Sequence, residues 1–399
     1  MITDHDLTAI NKLVSQHFRI ENITYGDPKQ PFVVRYQGLL RSEDTVTGFD
    51  KLSSALIPHS LVALLRREAG QINLYLVPKI EPKKKLNPRL NLILFVLTLI
   101  SVLVTGGLYA FQGEMPDNNW QFILQLAKNG WPFALSLLTI LSAHEFGHYF
   151  AGRKNQVQVT LPYFVPFPLS FFGTMGAFIN LRSLPKNRRA LFDLAVTGPL
   201  SGLVVTIVVL LIGLNLSELS QLPLSAPASG GLQMEGNSLL YLLLKFFTFG
   251  KFLPEPQGLS GAALLAHWGR YFFTGQPFPW GALDVMLHPV AWAGWAGILV
   301  TGINLIPAGQ LDGGHIFYAL FGKRNADRFF PFIVAGLGLM GFFWSGWWMW
   351  ALLVFMLGRR HAEPLDQITE LDNKRRWLGY LALAVFILTF IPVPITILI

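Results

Sequence analysis

The chain has 399 residues, of which 52% are hydrophobic and only 14% charged, well under the roughly 25% charged expected of a soluble domain, so a membrane protein is expected rather than a water-soluble globule. It has no cysteine, which excludes disulfides, thiolate nucleophiles and cysteine-ligated metals, so any metal must rest on histidine and carboxylate. The net charge of +8 sits mostly in short segments beside apolar spans, where the positive-inside rule places it, and nucleic acid is not expected as a partner.

Residues 1–81 read as a small soluble α+β domain whose role the patterns do not disclose. Leu7, Ile10, Leu13 and Val14 recur at helical spacing, and "FVVRYQGLL" (32–40) and "INLYLV" (72–77) are strand-like. "FDKLSSALIPHSLVALLRREAG" (49–70) is expected to be helical, with a proline interruption and Gly70 as its stop. Residues 82–89 then read as a stiff basic linker in which Lys83, Lys84 and Lys85 suit an anionic leaflet. The first long apolar span begins near Leu90, too late for a signal peptide, so the N-terminus is expected to be retained and untranslocated.

Residues 90–399 carry apolar spans at 90–111, 131–152, 190–214, 288–307, 328–343, 346–358 and 377–398, with shorter apolar pieces at 239–249 and 313–321. The expected fold is an all-α polytopic membrane protein with about six to eight transmembrane helices, its core at about residues 131–322. Basic segments at 83–85, 152–154, 186–189, 323–324, 359–361 and 374–376 sort to one side, and "QGEMPDNN" (112–119) and residues 217–236 to the other. The N-terminus is then cytoplasmic, and "HEFGH" lies near the cytoplasmic end of its span. Gly198 and Gly202 form a GxxxG that brings two helices close. "SGWWMW" (345–350) reads as an interfacial tryptophan belt.

The chemistry concentrates in "LSAHEFGHYF" (141–150). His144 and His148 are spaced i and i+4, so both rings leave one helical face, one turn apart, where they can share a metal ion. Glu145 points about 100° around the axis, beside that ion, where it can take a proton from water. Two buried, backbone-bonded histidines are the plainer reading, but ionisable groups inside a bilayer are costly without a functional partner. Catalytic zinc takes three protein ligands and an open position. Acids inside apolar stretches are few, and "TGINLIPAGQLDGGH" (301–315) offers Asp312 after an irregular break, at the same membrane end as the histidines. An aspartate before an apolar helix is also an ordinary N-cap. His315, one turn on, competes as a ligand or supports one, and Asp193 suits a helix-end ion pair with Arg189 four residues earlier.

These residues resemble the site-2 proteases, a family of intramembrane zinc metalloproteases. The likeness rests on "HEFGH" (144–148), "NLIPAGQLDGGH" (304–315) and "GTMGAFINLRS" (173–183), and spans roughly residues 90–322. It implies one zinc per chain held by His144, His148 and Asp312, Glu145 as general base, and Asn304 near the substrate or its oxyanion. It also implies hydrolysis of membrane-embedded protein or peptide substrates, with the lipid bilayer as the setting. Family members often carry a PDZ domain after the third core span, but residues 215–287 are too short and too apolar for one. The soluble N-terminal unit resembles that of the cyanobacterial and plastid branch. "FFGTMGAFIN" (171–180) suits a re-entrant strand that pairs with an extended substrate, or simply a tight packing site at Gly173 and Gly176. Two other classes fit the same residues: a transporter or proton relay built on His144, Glu145 and Asp312, and an inactive scaffold homologue.

Overall fold

Helix α1 (Asp4–His17) leads into strands β1 (Phe18–Tyr25) and β2 (Val34–Leu40), and helix α2 (Thr45–Leu56) with a 3-10 turn (Ile57–His59) leads into β3 (Leu61–Glu68) and β4 (Gln71–Pro78). The strands form one antiparallel sheet ordered β1-β2-β4-β3. Ile10, Val14, Phe49 and Leu52 of the helices share its core with Val34, Tyr36, Leu65 and Leu74. The computed structural model describes residues 4–27, 30–68, 70–79, 88–111, 118–225, 232–256, 258–358 and 363–398. The expected basic anchors Lys83 to Lys85, most of "QGEMPDNN" and the basic residues 359–361 lie outside them.

The helix expected over 49–70 is corrected. It ends at Leu56, and residues 61–68 are strand β3. Pro58 opens the 3-10 turn and Ser60 takes a left-handed conformation at φ 53°, which breaks the helical run. Beyond it Leu61, Ala63 and Leu65 are buried while their neighbours are not, the period of two that a half-buried strand requires.

The helical body begins with α3 (Pro88–Ala110) and α4 (Asn119–Lys154). α4 is longer than the expected 131–152 because the Asn118 side chain accepts from the Trp120 amide and caps it early. The chain continues through β5 (Tyr163–Pro166), β6 (Thr174–Phe178), α5 (Arg188–Asn215), β7 (Glu218–Gln221), β8 (Leu232–Glu235), α6 (Leu239–Phe249), α7 (Gly261–Thr274), β9 (Leu283–Met286) and α8 (Pro289–Asn304). It ends with α9 (Asp312–Phe321), α10 (Lys323–Met340), α11 (Gly346–Leu357), α12 (Asn373–Thr389) and β10 (Ile395–Leu398). Among the described residues, α3 and α5 are the helices long and apolar enough to cross a membrane by length and composition. Three small antiparallel pairs, β5-β6, β7-β9 and β8-β10, punctuate the helices, so the body is mostly rather than wholly α.

Small residues set the helix spacing. A Cβ added to Gly107 of α3 would meet the Leu126 carbonyl oxygen at 2.3 Å, and one on Gly130 of α4 would meet that of Leu103 at 2.0 Å, so the two backbones touch directly. α8 lies against α5 in the same manner, since a Cβ on Gly213 would stand 2.2 Å from the Ala291 nitrogen.

Three further expectations change. The span expected over 377–398 stops at Thr389, and residues 395–398 pair with β8 instead, because Pro392 and Pro394 cannot continue a helix. Trp347 of "SGWWMW" is 1% exposed, stacks on Phe390 and donates to the Pro392 carbonyl at 2.6 Å, so it is core, whereas Trp348 is exposed. Asp193 pairs with Arg375 of α12, two oxygens each at 2.7 Å from the guanidinium. Arg189 donates to the Glu370 carbonyl.

The N-terminal sheet is joined to the body by residues 363–369. The β3 edge at Leu65 donates to the Leu365 carbonyl at 2.8 Å and accepts from the Gln367 amide at 3.1 Å. The Leu365 and Asp366 amides in turn donate to Pro185 and Lys186 just before α5. The Arg66 guanidinium closes the junction on the Pro364 and Leu365 carbonyls.

Candidate metal centre

His144 and His148 occupy one face of α4, buried at 4% and 6% exposure. Their rings meet Asp312 at the start of α9: the Asp312 Oδ2 lies 3.3 Å from His144 Nε2 and 3.2 Å from His148 Nε2, and the two Nε2 atoms are 3.1 Å apart. These three residues form a group able to hold a metal ion. Donor atoms around a tetrahedral zinc with bonds of about 2.0–2.1 Å stand about 3.3–3.4 Å apart, so the triangle is close to the required size.

The tautomer agrees with that fit. His148 Nδ1 lies 2.7 Å from the Leu194 carbonyl oxygen of α5, an acceptor, so Nδ1 bears the hydrogen and Nε2 presents its lone pair to the triangle. A backbone carbonyl that fixes a ligating histidine in this way is usual in metal sites. A cation between the three atoms would satisfy the His148 lone pair and the Asp312 carboxylate together.

Asp312 begins α9, but its side chain caps nothing and the N-cap position belongs to Leu311. The irregular stretch before it, with Gly309 at φ 62°, turns the carboxylate back onto the histidines. Glu145 is 5% exposed, its Oε2 has no hydrogen-bond partner among the described residues, and the Ile179 backbone amide lies against its carboxylate. The Asn304 Nδ2 lies 3.5 Å from His144 Nε2. All five residues, with Ile179 and His315, line one cavity of about 220 Å³.

The sequence reading missed the part played by α5 in shaping the site. A Cβ on Gly198 would stand 2.1 Å from His148 Nε2, and one on Gly202 would stand 3.1 Å from the His144 Cβ. The GxxxG therefore brings α5 against α4 as expected and also leaves room for both imidazoles. β6 borders the cavity through Ala177 and Phe178. Gly173 and Gly176 serve differently: both have positive φ, 73° and 98°, but only Gly173 is packed tightly, against Thr105 and Ser101 of α3.

Several plant proteins are similar to the chain. It is 31% identical over 274 residues, 68% of its own length and 43% of the relative's, to the probable zinc metalloprotease EGY2, chloroplastic, of Arabidopsis thaliana. It is 29% identical over 285 residues, 69% of its length and 43% of the relative's, to the probable zinc metalloprotease EGY1, chloroplastic, of Oryza sativa subsp. japonica. The chain thus spans less than half the length of these relatives. No solved structure matches it. Residues 132–343, more than half of the chain and inclusive of every residue of the triangle, match peptidase family M50, the site-2 protease family, and the chain belongs to that family.

Proposed function

We propose that this chain is an intramembrane zinc endopeptidase that cuts membrane-embedded protein or peptide substrates near the cytoplasmic side of a bilayer. The observation that carries the reading is the triangle of His144, His148 and Asp312 donor atoms at 3.1–3.3 Å with the Glu145 carboxylate in the same cavity. One zinc per chain held there would supply Lewis acidity and bring the pKa of its water to about 7.

The chain's own residues do the rest. Glu145 takes the proton of the attacking water as the new C–O bond forms, then delivers it to the leaving nitrogen as the C–N bond breaks. Asn304 presents its amide N–H₂ toward the developing oxyanion. β6, paired on one side only, offers a strand edge to a substrate that must leave its helical hydrogen bonds to expose a carbonyl. In this reading residues 90–399 form a multi-pass membrane body that holds the site, residues 82–89 a linker and residues 1–81 a soluble cytoplasmic unit.

Glu145→Gln tests it. The variant should keep stoichiometric zinc by elemental analysis and lose cleavage of a reconstituted transmembrane substrate by about 10²–10⁴-fold. Unchanged cleavage removes Glu145 as the base, and wild-type protein without bound zinc favours the relay reading.

A further inference from the structure

A second buried charged group lies at the opposite end of α8 from the metal centre. Lys245 of the apolar helix α6 is 0% exposed, its Nζ 4.4 Å from the Tyr241 ring centroid and without a hydrogen-bond partner among the described residues. Its charge acts on Glu235 at the end of β8 and on Asp284 of β9. Asp284 is 3% exposed, and Glu235 accepts from the Tyr241 hydroxyl at 2.9 Å. Burial, with the Asp284 charge beside it, pushes the Glu235 carboxyl above its ordinary range. Two buried carboxyl groups thus lie near one ammonium, and a second cation beside them would favour the ionised form of both.

This acidic pair faces a cavity of about 410 Å³. Glu235 and Asp284 line it together with the aromatic rings of Tyr109, Phe133 and Trp292. Trp292 Nε1 is buried without a hydrogen-bond partner among the described residues. Tyr109 and Met286, 42% and 44% exposed, stand at the mouth. Aromatic faces around a pair of acidic groups suit an organic cation, while an indole N–H without a partner calls for a carbonyl acceptor. A basic residue within a polypeptide brings both.

We propose that this cavity binds one lysine or arginine residue of the polypeptide being cut, its cationic head against Glu235 and Asp284 and a main-chain carbonyl on Trp292 Nε1. The inference rests on the peptidase reading for the source of the cation. α8 runs 16 residues from Pro289 at the cavity to Asn304 at the metal centre, about 24 Å at helical rise. A substrate that stays helical up to the unwound stretch at the cut therefore places its basic residue within about 16 residues of the cut bond.

The test uses the full chain in nanodiscs of neutral lipid, with N-acetyl-arginine amide as probe and its neutral isostere N-acetyl-citrulline amide as control. Expected is saturable one-to-one binding of the arginine probe, at least tenfold tighter than the citrulline probe and weakened at least tenfold by Asp284→Asn. Met286→Trp, which plugs the mouth and leaves the buried charges alone, should also abolish binding in a protein with an unchanged melting curve. Glu145→Gln should leave binding intact, which separates this proposal from the failure of the peptidase reading. Equal binding of the two probes, or binding indifferent to both cavity variants, overturns it. In the cleavage arm a substrate with lysine at the predicted position should be cut at least tenfold more efficiently than its glutamine counterpart; equal cleavage of the two overturns the substrate as the source.

Discussion

The two ends of α8 bury ionisable groups in opposite ways. At the Asn304 end, two imidazole nitrogens and a carboxylate oxygen meet at 3.1–3.3 Å, and the tautomer of His148 directs a lone pair into the gap. At the Pro289 end, Glu235 and Asp284 lie within the field of a buried lysine supplied by the chain itself. The first arrangement is tight and matched to a small divalent ion; the second is a roomy aromatic chamber lined by an acidic pair. Burial of charge thus does not identify a metal site by itself. Donor separation and the presence of an internal counterion decide which cation an apolar body is built to receive.

The largest expected effect that tests this contrast is at Asp312. Asp312→Ala should remove the bound metal entirely by elemental analysis and leave arginine-probe binding at the other end unchanged; metal retained at full stoichiometry would break the contrast. Next is Lys245→Met, which removes the cation near two buried carboxyl groups and should lower the melting temperature more at neutral pH, where they ionise, than at acidic pH, where they are protonated, with the metal content per folded chain unaltered. Gly198→Ala should come third, because its new Cβ meets the His148 ring and displaces it from the triangle, weakening metal binding about 10–100-fold in a competitive chelator titration.

The smallest effect sharpens the comparison from outside both sites. Glu363 sits at the strap beneath β3, where burial raises its carboxyl but Lys323, with Arg66 and Gln367, outweighs that and holds it below its ordinary range. A depressed folded-state value means that its stabilisation is complete above the unfolded carboxyl value of about 4.3 and fades as the pH falls through and below it. Hydrogen exchange of the Leu65 and Gln367 amides should therefore accelerate below about pH 4, and Glu363→Gln should flatten that dependence without touching the metal centre.

The sequence exposed the residues of the candidate centre more readily than the surroundings that position them. His144, Glu145 and His148 lie within five consecutive positions of one helix, so their geometry is local and the 3.6-residue period suffices to place them. Asp312 was readable because an acid after a proline and glycine break, inside apolar sequence, has few other uses. The Leu194 carbonyl and the clearance at Gly198 depend on how α5 crosses α4, and a GxxxG announces closeness without saying what lies opposite. β3 was mistaken for helix because "LVALLRRE" is apolar enough to suit either period, and only the Pro58 and Ser60 break decides it. Lys245 carried a signal that the reading passed over, a lone cation in the apolar run "LLYLLLKFFTF", the kind of residue that asks for a partner.

The strap of residues 363–369 imposes an order on biosynthesis. Arg66 bonds to carbonyls 298 and 299 residues farther along the chain, an interval that takes roughly 15–60 s to translate at about 5–20 residues per second. Until those carbonyls emerge, the outer edge of β3 is bare, and bare strand edges pair with whatever other chain is near. The sheet is thus made long before it is sealed, and its seam closes only after α4 and α9, the helices carrying His144, His148 and Asp312, have left the ribosome.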